Sequence, residues 1–373
     1  MLKYYIKVLI RHLLKLFWIF PIDNKKIYFQ SFSGKSMNCN PWYIFKYMYE
    51  KYPEYKYVWL LNHKPNEKLK NITYVKKNTL TWVKQVITSK IIITNDGFPT
   101  FIPYLKKQLL IETWHGGGAY KKCGNANNNG NFKSYYPPNF QYYISSSRKF
   151  TEVMSLSNKL DKKVFLSIGM PRNDIFFNKK DIEKNNIKFR NKYSLPQDDL
   201  VVLYAPTYRG SAQASYFTNE LDVLKAKDAL FNKYCRNVVF LFRGHHTLSN
   251  SNISKKYDKD VSNYPDMQEI LCATDVLITD YSSCMWDYSL LYRPCFLFTP
   301  DIDEYIKDRG FYTAPETWGF PISKTNEELV DKILNFNEHH FIEAIKKHQN
   351  TLESYEEGIA TQKISDYILN YIN

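Results

Sequence analysis

Ala273-Thr274-Asp275-Val276-Leu277-Ile278-Thr279-Asp280-Tyr281-Ser282-Ser283 is the stretch from which the fold can be read. Val276-Leu277-Ile278 is apolar without alternation, which is how a strand covered on both faces reads. It stops at Asp280-Tyr281-Ser282-Ser283, and a helix is expected from about Cys284. Hydroxyls and unpaired backbone N–H groups at a helix start suit a phosphate. Asp and Ser are equally the ordinary N-capping residues. On local physics the two readings stand level.

The pattern recurs along the chain. Ile27-Tyr28-Phe29 runs into Ser31-Phe32-Ser33-Gly34-Lys35-Ser36, and a helical stretch follows from Pro41 to about Tyr52. Further strands are expected at Tyr57–Leu61, Ile72–Val75, Ile91–Thr94, Leu109–Ile111, Tyr142–Ile144 and Val164–Ile168. Beyond them come Val201–Tyr204, Val238–Phe242 and Cys295–Phe298. Segments of helix length separate these runs, so the fold class is α/β, built from parallel β-α-β units. The polar stretch from Asn178 to Asn191 is the best candidate for a domain boundary, and residues from Asn326 onward read as helices.

Two strand ends carry histidine. Leu109-Leu110-Ile111 leads to Thr113-Trp114-His115-Gly116-Gly117-Gly118, and Val238 to Phe242 leads to Arg243-Gly244-His245-His246. A histidine at a strand end is suited to moving protons near neutral pH. Glycines beside it let backbone N–H groups approach an anion. One such site in each half of the chain implies a cleft between two domains. The polar run Asn125 to Asn131 reads either as a loop closing over a ligand or as a merely mobile one. Tyr204-Ala205-Pro206-Thr207-Tyr208-Arg209 places a hydroxyl and a guanidinium beyond another strand. Arg209 and Arg243 have the fork that grips phosphate oxygens, though each alone also reads as a surface arginine.

Gly169-Met170-Pro171-Arg172-Asn173-Asp174 reads as a proline turn at the domain junction. His12, His63, His339, His340 and His348 receive no role. No His/Cys/Asp cluster has metal-ligand spacing. The sequence requires no cofactor and gives no support for Mg2+. Without a P-loop or G-x-G-x-x-G, a nucleotide-driven motor and a dinucleotide oxidoreductase are disfavoured.

The 373 residues suffice for two full cores. A net charge of +14 favours anionic partners such as nucleic acid, anionic lipid or a phosphorylated substrate. A solvated lysine-rich surface explains most of those lysines equally well. Cys39, Cys123, Cys235, Cys272, Cys284 and Cys295 are scattered, which fits reduced thiols better than a disulfide framework or a zinc site.

No stretch is apolar for long enough to span a bilayer. Residues 1–22 are nevertheless expected to form an amphipathic helix. Lys3, Lys7, Arg11 and Lys15 recur at every fourth position and draw one basic stripe, with Leu2, Ile6, Leu9, Ile10, Leu13, Phe17 and Trp18 around it. Pro21 ends the pattern. Such a helix lies on an anionic membrane surface, or packs on its own domain or a partner.

Taken together, Trp114-His115-Gly116, Gly169-Met170-Pro171-Arg172-Asn173-Asp174, Leu203-Tyr204-Ala205-Pro206-Thr207-Tyr208-Arg209, Arg243-Gly244-His245 and Leu277-Ile278-Thr279-Asp280-Tyr281-Ser282-Ser283 resemble the CDP-glycerol glycerophosphotransferase family. These are the teichoic-acid primases and polymerases of bacterial envelopes. Ser33-Gly34-Lys35 with Asn40-Pro41, and Arg293-Pro294 with Tyr305 and Arg309-Gly310-Phe311, extend the likeness from about Lys26 to Phe320.

The resemblance implies a GT-B-like fold: two Rossmann-like domains, here 23–185 for the acceptor and 186–373 for the CDP-alditol, with the active-site cleft between them. It implies peripheral attachment at the cytoplasmic face of the membrane, where a lipid-linked saccharide acceptor is presented. His115 maps onto the family's general base. Arg243 and His245 map onto the pair that holds phosphates, and Asp280, Ser282 and Ser283 onto the segment that binds the CDP diphosphate. Thr207 and Arg209 fall on the same nucleotide side, and Lys35 with Gly116, Gly117 and Gly118 on the acceptor side. The family often has Thr-Pro after the first His-Gly, where this chain has Gly117-Gly118. It often has Pro after the second histidine, where this chain has His246. The implied reaction transfers glycerol phosphate or ribitol phosphate from CDP-glycerol or CDP-ribitol and releases CMP. Three other readings are a GT-B glycosyltransferase using a nucleotide sugar, a non-catalytic envelope-assembly protein, and a nucleic-acid binder. The last rests on charge alone, so no nucleic-acid partner is expected.

Overall fold

The computed structural model describes residues 2–65, 68–126, 141–207, 209–211, 214–216, 221–244 and 256–372. His245, His246, Tyr208 and most of the Asn125–Asn131 run lie outside the described residues. The chain forms two compact units.

The first unit holds the residues up to His115, those from 141 to Asp174, and those from Tyr355 onward. Its strands are β1 (Asp23–Gln30), β2 (Lys56–Leu60), β3 (Ile72–Val75), β4 (Ser89–Thr94), β5 (Leu109–Glu112), β6 (Tyr142–Ser145) and β7 (Phe165–Ser167). They make one sheet in the order β3-β2-β1-β4-β5-β6-β7, every pairing parallel. The helices here are α1 (Leu2–Leu14), α2 (Cys39–Lys51), α3 (Leu80–Thr88) and α4 (Arg148–Asn158). One face of the sheet buries Tyr28, Val58, Leu60, Ile92 and Leu110 against Trp82, Val83 and Ile87 of α3. The Trp82 indole N–H donates to the Tyr28 hydroxyl at 2.8 Å, which satisfies a polar pair inside this core.

The second unit holds residues 116–126 and Ile175–Ser354. After α5 (Lys179–Tyr193) come β8 (Leu200–Ala205), the short antiparallel pair β9 (Arg209–Ser211) and β10 (Ala214–Tyr216), α6 (Val223–Tyr234), β11 (Val238–Phe242) and β12 (Lys259–Asp260). Then follow α7 (Met267–Ala273), β13 (Val276–Thr279), α8 (Cys284–Ser289), β14 (Cys295–Phe298), α9 (Ile302–Asp308), β15 (Ile322–Ser323), α10 (Asn326–Leu334) and α11 (Glu338–Thr351). The six-stranded sheet runs β12-β11-β8-β13-β14-β15, again all parallel. The chain then returns to the first unit, where Ile364 and Ile368 of α12 (Ala360–Ile372) are buried and the helix packs on α2.

Both sheets reverse strand order next to their first strand, which is the doubly wound, Rossmann-like topology. The switch points lie between β1 and β4 and between β8 and β13. Ligands of such sheets sit beyond the carboxyl ends of the strands at that point.

Three features differ from the expected organisation. Asn178 caps α5 and the stretch to Asn191 is helical, not a linker; Phe189 and Arg190 are its buried residues, Ile182 and Asn186 are half-buried, and the helix packs on α7. The compact units break between Asp174 and Ile175, and the C-terminal residues leave the half in which 186–373 would have kept them. Residues 116–126, just past the first histidine, belong to the second unit.

That crossing segment is firmly held. Tyr120 is buried, meets the Trp318 ring at a tilt with centres 4.7 Å apart, and stacks on the His348 ring with its hydroxyl 3.0 Å from Nε2. The backbone N–H of Tyr312 donates to the Tyr120 carbonyl at 2.9 Å, and that of Lys122 to the Gly310 carbonyl at 3.1 Å.

Ile278 on β13 is fully buried, so Ile278→Ala should cost about 2–5 kcal/mol in urea unfolding. Leu224→Ala on the exposed face of α6 should stay within about 0.5 kcal/mol. Burial lowers the His348 pKa to about 4, against the opposing pull of the Thr317 carbonyl. The unfolded chain therefore takes up a proton near pH 6.5 that the folded chain refuses until about pH 4. Stability falls by about 3 kcal/mol in all as pH drops through that window. His348→Gln should remove this part of the acid sensitivity of unfolding; a profile parallel to the parent's would contradict it.

Candidate functional site

In the first unit the ends of β1, β4 and β5 converge on His115. Its Nδ1 lies 2.7 Å from the Asn95 carbonyl oxygen. A carbonyl can only accept, so Nδ1 carries the proton and the neutral ring holds its lone pair at Nε2. The ring stacks on Trp114 at 4.5 Å and meets the edge of Phe32 at 5.4 Å. Asn95 is itself fixed, since its side-chain oxygen accepts from the Phe32 N–H at 2.9 Å.

Trp114 reaches this position through a positive φ of 53°, which a bulky residue adopts only when its surroundings impose it. Glu112 supplies part of that constraint. It accepts from the Trp114 N–H and the Gly97 N–H, each at 2.9 Å. Burial pushes its carboxyl well above the ordinary range. Asn40 supplies another part: buried, it donates to the Thr113 and Trp114 carbonyls and accepts from the Arg172 N–H. The Arg172 guanidinium donates to the His115 carbonyl at 2.9 Å. Asn40 and Arg172 belonged to motifs visible in the sequence, but Arg172 read there as part of a turn. Asn95 and Glu112 carried no signal. Lys35 is exposed on the loop after β1, where its carbonyl lies 2.8 Å from His63 Nε2.

The glycines after His115 have a different use from the anion cradle expected of them. A Cβ on Gly117 would lie 2.1 Å from the Trp286 indole, and one on Gly118, whose φ is +74°, 2.3 Å from the Tyr120 ring. Both are glycines because protein packs where a side chain would be.

In the second unit β11, β8 and β13 are neighbours, so Arg243, Thr207 and the Asp280 segment follow one another along one edge. Asp280 is the hub and is 3 % exposed. It accepts from the Thr207 N–H at 2.9 Å, the Thr207 hydroxyl at 2.7 Å, the Tyr281 N–H, and Arg209 Nη1 at 2.9 Å. Arg209 also grips Asp301 with Nε and Nη2, and its guanidinium carbon sits 5.0 and 5.1 Å from the Tyr281 and Tyr305 ring centres. Burial raises the Asp301 pKa, but Arg209 and the Tyr281 hydroxyl outweigh it and hold the carboxyl below its usual range.

Thr207 and Arg209, expected as phosphate ligands, thus turn their donors inward in this structure. Asp280, acceptor-only when ionised, organises the loops. The hydroxyls of Ser282 and Ser283 are half-buried at the start of α8, and Ser283 makes no side-chain cap. Arg243 lies at the end of β11, where its Nη1 donates to the Tyr264 carbonyl at 2.9 Å. His245 lies outside the described residues. Among the described residues no group of three or more His, Cys, Asp or Glu side chains could hold a metal ion.

Comparison with known proteins gives these sites a family. The chain is 29% identical to the teichoic acid poly(glycerol phosphate) polymerase of Bacillus spizizenii, covering 94% of this chain and 93% of that one. It is 32% identical to the polymerase of that name from Staphylococcus epidermidis over 93% of this chain, and spans about half (51%) of that longer protein. It is 29% identical to the teichoic acid glycerol-phosphate transferase of Staphylococcus aureus, covering 99% and 100% of the two chains. A structure of the wall teichoic acid polymerase TagF soaked with CDPG superposes with a TM-score of 0.83 at 30% identity, covering 98% of this chain and 94% of that one. The architecture is accordingly GT-B-like, with two Rossmann-like parallel sheets. The family model of the CDP-glycerol:poly(glycerophosphate) glycerophosphotransferases matches residues 12–370, and the chain belongs to that family.

Proposed function

We propose that this protein transfers glycerol phosphate from CDP-glycerol to a hydroxyl of a lipid-linked or saccharide acceptor in teichoic-acid or related surface-polymer synthesis. The acceptor hydroxyl loses its proton to His115 Nε2 as its oxygen bonds to the β-phosphorus. The pyrophosphate P–O bond breaks, CMP leaves with the bridging oxygen, and a phosphodiester remains. Ser282, Ser283, Arg243 and His245 are assigned to the donor phosphates, where cations and hydroxyls meet the charge that grows during phosphoryl transfer. Thr207, Arg209 and Asp280 hold that segment in shape. Lys35 is assigned to the acceptor side.

The observation that carries the base assignment is the His115 Nδ1 contact with the Asn95 carbonyl, which leaves the basic lone pair on Nε2. The family model that matches is that of the CDP-glycerol glycerophosphotransferases, which makes CDP-glycerol the favoured donor; ribitol-phosphate proteins match at 28–29% identity, about as well as glycerol-phosphate ones, and CDP-ribitol is the alternative. His115→Ala should keep the fold and CDP-glycerol binding while turnover falls by about a hundredfold to ten-thousandfold. Near-parental turnover would remove His115 from the role of base.

We also assign peripheral attachment at the cytoplasmic membrane face to α1 and the turn after it. Leu14 and Phe17 pack on the core of the first unit, and the Trp18 indole donates to the Pro103 carbonyl at 2.8 Å. Ile6, Leu9, Leu13, Leu16 and Ile19 are left exposed beside Lys7. Apolar residues and cations together suit an anionic lipid surface. No helix among the described residues is long and apolar enough to cross a membrane. Replacing Leu9 and Leu13 by Glu should abolish sedimentation with anionic vesicles and leave the melting temperature in place. Sedimentation that persists would exclude this helix as the anchor.

A further inference from the structure

We propose that Trp286 is a positioning residue for His115, acting through Gly117. The inference rests on the reading of His115 as the base and adds what holds the base in place from its C-terminal side.

From the N-terminal side, Asn95 fixes the His115 ring and Arg172 its carbonyl. The following residues are fixed by other means. Gly117 is buried flat against the indole of Trp286, which is itself fully buried. A Cβ at Gly117 would stand 2.1 Å from Cδ1, 2.5 Å from Nε1 and 2.9 Å from Cγ of that ring. Gly117 is not among the residues with positive φ, so its backbone suits an L-residue and the indole alone forbids one. A rigid ring in the middle of a packed core has little freedom to give way.

The segment cannot relieve a push by sliding onward. Tyr120 is clamped by Trp318 and His348, and its carbonyl accepts from the Tyr312 N–H. A displacement at Gly117 therefore passes back toward His115. Two residues span at most about 7 Å, and Gly116 alone lies between them to absorb it. Trp286 in turn belongs to α8, the helix that Ser282 and Ser283 begin. The indole thus ties the helix that follows Ser282 and Ser283 to the segment after His115. With Trp at 286, position 117, where the His-Gly-Thr-Pro pattern would place Thr, has no room for a side chain.

The test separates turnover from donor binding. Gly117→Ala should lower kcat on the order of tenfold to a hundredfold, the scale of a misplacement of about 1 Å. CDP-glycerol affinity by calorimetry should stay near the parent's, while the melting temperature falls because the new methyl overpacks a fully buried ring. Adding Trp286→Leu makes room for the new methyl and should restore kcat to within about threefold of the parent. An unchanged kcat in Gly117→Ala, a loss of affinity that matches the loss of kcat, or a double variant no better than the single would each overturn the proposal. Should Gly117→Ala fail to fold, Trp286→Phe opens a gap beside Gly117 and should lower kcat with affinity kept; an unchanged kcat there overturns it equally. His115→Ala belongs in the same assay. If it retains turnover, the base assignment fails. If it loses turnover and Gly117→Ala does not, only the role of Trp286 fails.

Discussion

The buried Asp280 carboxyl is the constraint on which the second unit's strand-end loops depend. It stands at the end of β13 and ties down the loop after β8 through the Thr207 backbone and hydroxyl. It also faces Arg209, whose other edge is held by Asp301. One cation lies between two carboxyl groups and two tyrosine rings, and neutral donors from Thr207 and Tyr281 complete the hydrogen bonding of the carboxyl oxygens. Removing one member of such a cluster strands the others, typically at about 3–5 kcal/mol, although an apolar replacement of the whole need not be unstable. Its use is geometric. Two strand-end loops are held at a fixed separation, and the Ser282-Ser283 turn leaves that point in one defined direction.

The acceptor half reaches the same end by different chemistry. Its histidine is oriented by neutral hydrogen bonds and ring contacts, through Asn95, Asn40, Trp114 and Phe32. Arg172 brings a cation to the loop, and it donates to a carbonyl. That contrast fits the proposed division of labour. A base that must alternate between neutral and protonated forms is served by a carbonyl, which favours one tautomer without neutralising a cation. A phosphate site is served by dense, preorganised charge.

The strands were legible because a buried parallel strand is a short apolar run, and nearly every such run became one. The two-residue strands β12 and β15 have no run to reveal them. The helix α5 was hidden because a solvent-facing helix and a polar linker share a composition. The return of α12 to the first unit is set by contacts distant in sequence, which no local pattern encodes. At the site, His115 was visible as a residue, but the carbonyl that sets its tautomer comes from another strand end. The glycines after it were expected to let the backbone approach an anion; what lies against Gly117 and Gly118 is Trp286 and Tyr120. Thr207 and Arg209 had the right groups for phosphate, yet Thr207 donates to Asp280 and Arg209 to Asp280 and Asp301, carboxylates remote from them in sequence.

The proposed reaction is attack at phosphorus, and the nucleotide that leaves distinguishes it from glycosyl transfer. The most direct measurement is the nucleotide released when the protein is given CDP-glycerol and a teichoic-acid-type acceptor, with the product analysed by mass. Attack at the β-phosphorus predicts CMP in step with an acceptor enlarged by one or more glycerol phosphate units. Release of CDP with transfer of glycerol alone, or turnover of sugar nucleotides in place of CDP-glycerol, would contradict the account.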